Sequence, residues 1–130
     1  MTDAPVADPL AAFRLDGRVA LITGASAGLG ARFARVLHAV GATVVVAARR
    51  VDRLEALVAE LGDRAVAVAA DLSVAADRER LVAAAVHAGD GRLDVLVNNA
   101  GISRLGRAEH EDLAGFEEVV DLNLTAVFDL

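Results

Sequence analysis

From residue 19 onward the chain alternates short unbroken apolar runs with longer stretches in which apolar residues recur every three or four positions. Residues 19–23 form an apolar run ending in a glycine-rich turn, and Phe33, Val36, Leu37 and Val40 follow at helical spacing before Gly41. Residues 43–48 are β-branched or small throughout, as expected of a strand covered on both faces. Asp52 and Glu55 have capping-box spacing, with Leu54, Leu57, Val58 and Leu61 as an apolar face and Gly62 as terminator, which predicts a helix over 52–61. Residues 65–70 predict a third strand ending at Asp71. Ser73 can cap a helix reaching about Ala88, with Leu81, Val82, Ala85 and Val86 inward. Residues 94–97 predict a fourth strand. A last helix is expected from near Glu111, with Phe116, Val119, Val120, Asn123 and Val127 along one inward side, and the sequence reaches Leu130 in mid-helix.

Strands alternating with helices at this spacing predict an α/β fold of the doubly wound, Rossmann type, with a parallel sheet in the order 3-2-1-4. Pro5 and Pro9 in a small-residue segment mark residues 1–12 as a flexible leader. Residues 13–130 are then one domain, entered through a turn at 15–18.

Composition narrows the options. Apolar residues make up 55% of the 130, enough for one buried core. No apolar run approaches the roughly 20 residues of a membrane span. Asp3 and Asp8 stand where a secretory signal would need positive charge, so a cytoplasmic location is expected. Cysteine is absent, which excludes thiol catalysis and disulfides, and a net charge of -6 disfavours a nucleic-acid surface. Tyr and Trp are also absent, and all 13 basic residues are Arg. His38, His87 and His110 lack ligand-spaced partners, so no metal site is expected. The runs Asp77-Arg78-Glu79-Arg80 and 109–112 read as solvated helix faces.

The chemistry concentrates at strand ends. Thr23-Gly24-Ala25-Ser26-Ala27-Gly28-Leu29-Gly30 lies between a predicted strand and a predicted helix, where bare backbone and a helix start suit a pyrophosphate. An ordinary tight turn would also use glycine. The spacing G-x-x-x-G-x-G after Thr23, the Asn98-Asn99-Ala100-Gly101 set after strand four, Asp71-Leu72 after strand three, and Asn123 within 121–125 occur in one order. Together they resemble the short-chain dehydrogenase/reductase family over about 13–130.

That resemblance implies a nicotinamide cofactor. Ser26 and the backbone around Leu29 would meet its phosphates, with Gly24, Gly28 and Gly30 keeping side chains clear and Thr23 bracing the turn. Asp71 would accept from the adenine amino group beside Leu72. Asn98, Ala100 and Gly101 would let the cofactor pass close to strand four, with Asn99 tying neighbouring strands. Asn123 would be the catalytic asparagine, a member of a proton relay. Simpler readings stand beside these: a strand-end hydroxyl at Thr23, a helix-entry acid at Asp71, and a satisfied polar group in the core at Asn123. Strand two ends in Ala48-Arg49-Arg50, without the carboxylate that receives the ribose hydroxyls of NAD. An Arg fork suits a 2′-phosphate, so NADP(H) is expected over NAD(H), although Arg50 can equally be a solvated charge.

The family's Ser and Tyr-x-x-x-Lys, which complete hydride transfer to a carbonyl or from an alcohol, lie downstream of these elements. This chain contains no Tyr or Lys. It is therefore expected to be inactive alone, and to meet a small carbonyl or alcohol substrate only in a complete parent. Strand four is expected to form an exposed edge prone to self-association. The alternative is a non-catalytic nucleotide-binding or interaction module derived from such an enzyme.

Overall fold

The computed structural model describes residues 8–130; most of the expected leader lies outside them. Within them, a single 3-10 turn at Ala11–Phe13 precedes the first strand. The strands are β1 (Val19–Thr23), β2 (Thr43–Ala48), β3 (Ala65–Ala69) and β4 (Val95–Val97). They pair in parallel in the order β3-β2-β1-β4, as the sequence predicts. Leu21 sits opposite both Val45 and Leu96 in the register.

The uniform apolarity of β1 and β2 follows from their place at the centre of the sheet. Their alternate residues feed two cores. Val19, Leu21, Val45 and Ala47 face one side with Leu81 and Ala85 of the helix α3 (Ala75–Ala88). Ala20, Ile22, Val44 and Val46 face the other, under α1 (Gly28–Ala39) and α2 (Val51–Leu61). Such two-sided cover is what a parallel sheet requires. After β4, α4 (Leu113–Val120) runs into a π-helical turn at Asp121–Thr125 and on into α5 (Ala126–Asp129), with helical backbone at both junctions.

Several local expectations are corrected. The buried stripe of α1 is Gly30, Ala31 and Ala34, while Phe33 and Val36 are exposed. Small residues let this helix lie close to the strand ends, and the bulkier apolar positions fall on its outer flank. The Asp52–Glu55 capping box does not form, because α2 starts earlier: its N-cap is Arg50 and no side chain caps it. Ser73 does not cap α3, whose N-cap is Val74, because it is engaged with Asp71 instead. The last helix begins at Leu113, where Asp112 accepts from Gly115 N at 2.7 Å, and Phe116, Val127 and Asn123 lie on its exposed surface. Nor are Asp77, Arg78 and Arg80 a purely solvated face: each bonds backbone between Ala69 and Leu72. Among the described residues β4 pairs only with β1, so it forms an edge.

Candidate functional site

The C-terminal ends of all four strands open onto one cleft of about 1090 Å³, at the position where doubly wound sheets receive ligands. Its floor is an interlock between the turn after β1 and the segment after β4. Thr23, 1% exposed, receives hydrogen bonds on its hydroxyl from Asn99 N at 3.1 Å and Ala100 N at 3.0 Å. That hydroxyl donates to Val97 O at 3.3 Å. Asn99 Nδ2 donates to Thr23 O at 3.0 Å and to Gly24 O at 3.2 Å.

The three glycines divide their work. A Cβ on Gly30 would stand 2.4 Å from Gly24 O and 2.6 Å from Asn99 Nδ2, and one on Gly24 would meet Ala100 Cα at 2.8 Å. Both positions are closed by the protein's own interlock. Gly28 is different: its φ of +56° favours glycine, and a Cβ there would find nothing within 4 Å. It lines the cleft at the start of α1, which has no side-chain cap and no acid in its first turn. Its first N–H groups and its dipole are thus left for an anion.

On the β2 side, Arg50 Nη2 donates to Ser26 Oγ at 2.9 Å. Arg49 is exposed on the same wall and has no hydrogen-bond or ion-pair partner among the described residues. On the β3 side, Asp71 Oδ1 accepts from Ser73 Oγ at 2.7 Å and Ser73 N at 3.0 Å. Those bonds, with the charge of Arg49 adding to them, hold the Asp71 carboxyl below the usual carboxylate range, so it is an anion with its second oxygen open to a donor.

The structure therefore brings Gly24, Ser26, Gly28, Arg49, Arg50, Asp71, Leu72, Ala100 and Gly101 to one cleft. Thr23 and Gly30 lie beneath it, while Leu29 and Asn98 are exposed outside its lining. Asn123 lies beside it, in the π-helical turn, a feature that often marks functional sites. Its Oδ1 accepts from Ile102 N at 2.9 Å and its Nδ2 donates to Ile102 O at 2.8 Å, clamping the strand exit after Gly101. A second cavity of about 800 Å³ opens on its other flank, against Arg104 and Phe116. Sequence reasoning missed the wall supplied by Ala114, Glu117, Glu118 and Asp121. Their three- and four-residue spacing was the available signal, since it sets them on one helix face.

Residues 18–130 match the short chain dehydrogenase family, and the chain belongs to it. It is 47% identical over 118 residues to Nodulation protein G of Rhizobium sp. (strain N33), covering 91% of this chain and 48% of that protein. It is 41% identical over 125 residues to D-threitol dehydrogenase of Mycolicibacterium smegmatis, covering 89% and 45%. The fold matches the crystal structure of 3-ketoacyl-(acyl-carrier-protein) reductase from Brucella melitensis complexed with NADH, with a TM-score of 0.82, 42% identity, and coverage of 88% of this chain and 47% of that one. The chain thus spans about half the length of the relatives it matches. The family is one of oxidoreductases built on a nicotinamide-dinucleotide fold.

Proposed function

We propose that this chain is the cofactor-binding half of an NADP(H)-dependent oxidoreductase that moves hydride between nicotinamide and a small carbonyl or alcohol substrate. The observation carrying the cofactor choice is the unpartnered Arg49 beside Arg50, where β2 ends without a carboxylate. A 2′-phosphate supplies the charge that guanidinium lacks, and its oxygens match the fork of donors. Gly28 and the uncapped start of α1 suit the pyrophosphate, and the open oxygen of Asp71 suits the adenine amino group. When bound, the nicotinamide supplies or accepts the hydride. Asn123 is the one member of the family's catalytic set in this chain, and its clamp on Ile102 fixes the backbone leaving β4. Because Tyr and Lys are absent, the acid/base step requires groups this chain does not contain.

Calorimetric titration of the full chain with NADPH and NADH tests the reading. NADPH should bind more tightly, and Arg49→Ala should weaken it about 10- to 100-fold, the size of one charge-assisted hydrogen bond, while leaving NADH nearly unchanged. Equal affinities in the unaltered chain would overturn the preference. Clear NADPH consumption with aldehydes or ketones would overturn the claim that the chain alone is incomplete.

A further inference from the structure

The charged run at the start of α3 is fastened to the backbone that leaves β3. Asp77 Oδ2 accepts from Asp71 N at 2.8 Å, and Arg80 Nη2 donates to Ala69 O at 2.8 Å. Arg78 reaches further. Its side chain is only 12% exposed, its Nη1 donates to Leu72 O at 2.7 Å, and its Nε donates to the carboxylate of Asp129. Leu72 lines the cleft beside Asp71, whereas Asp129 ends the continuous helical stretch that carries Asn123. Leu72 and Ala126 also belong to one buried apolar cluster.

A guanidinium is planar and rigid, so fixing two of its donors fixes the groups that receive them relative to each other. We propose that Arg78 is a positioning residue that couples the adenine end of the cleft to the helix bearing Asn123. The inference rests on the dinucleotide reading above and adds a path within it. A base settling beside Asp71 and Leu72 steadies the Leu72 carbonyl, Arg78 transmits that constraint to Asp129, and the turn holding Asn123 is steadied from its far end. Because Arg78 is nearly buried, loss of either partner leaves a poorly solvated cation without full compensation. The link therefore depends on the side chain of Asp129.

Hydrogen exchange of the full chain, with and without adenosine 2′,5′-bisphosphate, tests the proposal. This probe has an adenine end and no nicotinamide. In the unaltered chain it should slow exchange at amides 124–129 about tenfold, within the usual range for coupled sites. Asp129→Ala, which leaves Arg78 Nε no acceptor at this position, should abolish that slowing while changing affinity for the probe less than about threefold, because the helix is already formed without ligand. Arg78→Met should abolish it and weaken the probe about tenfold. Arg78→Lys, which keeps the charge without the fork, should restore the affinity only in part and the slowing not at all. Undiminished slowing in Asp129→Ala would show that the probe reaches the helix directly and would overturn the coupling. So would unaltered affinity in Arg78→Met. Failure of the unaltered chain to bind the probe would instead bring down the dinucleotide reading, and this inference with it.

Discussion

The floor of the cleft and its helical wall are held in opposite ways. On the floor, Thr23, Asn99, Gly24 and Gly30 fit so closely that side-chain hydrogen bonds and missing Cβ atoms specify one another. The wall, from Ile102 to Asp129, leaves Leu105, Leu113, Phe116, Leu124 and Phe128 largely exposed. Ala126 in the buried core cluster and the Arg78–Asp129 pair attach it, and it is tied internally by Asn123 to Ile102 and by Arg104 to Glu111 and Glu118. The phosphate cradle is thus continuous with the sheet's core. The wall depends on individual side chains for its position, so damage to the floor should spread and damage to the wall should stay local.

The largest effect should come from filling Gly30. Overpacking of a dense site costs about 1–3 kcal/mol, occasionally more. Gly30→Ala faces two backbone neighbours and the Asn99 amide together, so the upper end is expected. Gly28→Ala meets open space and carries mainly the left-handed backbone penalty of about 1–2 kcal/mol. Its Cβ enters the cleft, so NADPH affinity should fall more than stability does. Urea melts alongside NADPH titrations separate the two glycines. Equal stabilities for both variants would end the division of labour proposed for them.

A second pair tests floor against wall through hydrogen bonds alone. Thr23→Val keeps the side-chain shape but leaves the N–H groups of Asn99 and Ala100 without their acceptor. Leaving a buried donor unsatisfied costs about 1–3 kcal/mol, so a global loss of this order or larger is expected. Asn123→Ala removes two bonds, against three at Thr23, and from an exposed residue whose partners water can reach, so about 1 kcal/mol or less should follow. Its clearest sign should be faster amide exchange confined to residues near Ile102. A cooperative loss in Asn123→Ala as large as in Thr23→Val would contradict the contrast between the two regions.

The sheet order and strand positions were legible because buried parallel strands must be apolar on both faces, a pattern that 19–23 and 43–48 display without interruption. Thr23, Asp71 and Asn99 were legible because motif position assigns them to strand ends. Helix starts were less so. Asp52 and Ser73 have the chemistry of caps, yet a two-residue shift of the α2 N-cap to Arg50 and the competing Asp71 carboxylate took them out of that role. The role of Arg78 was invisible because its partners, Leu72 O and Asp129, come from segments 6 and 51 residues away, which no local spacing rule connects. Asn123 is exposed together with Phe116 and Val127 of the same stripe; the 3.6-residue period groups such positions, but it does not say whether the face they form is covered, and here Phe116, Val119 and Asn123 line the second cavity.

The smallest effect, and the sharpest control, lies at the far end of β4. Asp94 accepts from Val19 N at 2.8 Å and from Arg18 Nη1 at 2.9 Å, joining the starts of β1 and β4 away from the cleft. The Val19 N–H, then Arg18 and the nearby charge of Arg92, hold its carboxyl below the ordinary range, as Ser73 holds that of Asp71. An unfolded Asp titrates near about 3.9. A carboxyl whose folded value is lower contributes stability that is fully present above that pH and is lost as pH falls through the folded value. Thermal stability should therefore decline below about pH 4, and Asp94→Asn, which keeps an acceptor for Val19 N, should flatten part of that decline without altering NADPH affinity. Asp71→Asn should flatten another part and weaken NADPH as well. If Asp94→Asn weakened the nucleotide equally, the two ends of the sheet would be energetically linked, and the cleft could not be treated as a unit built only from the strand ends that surround it.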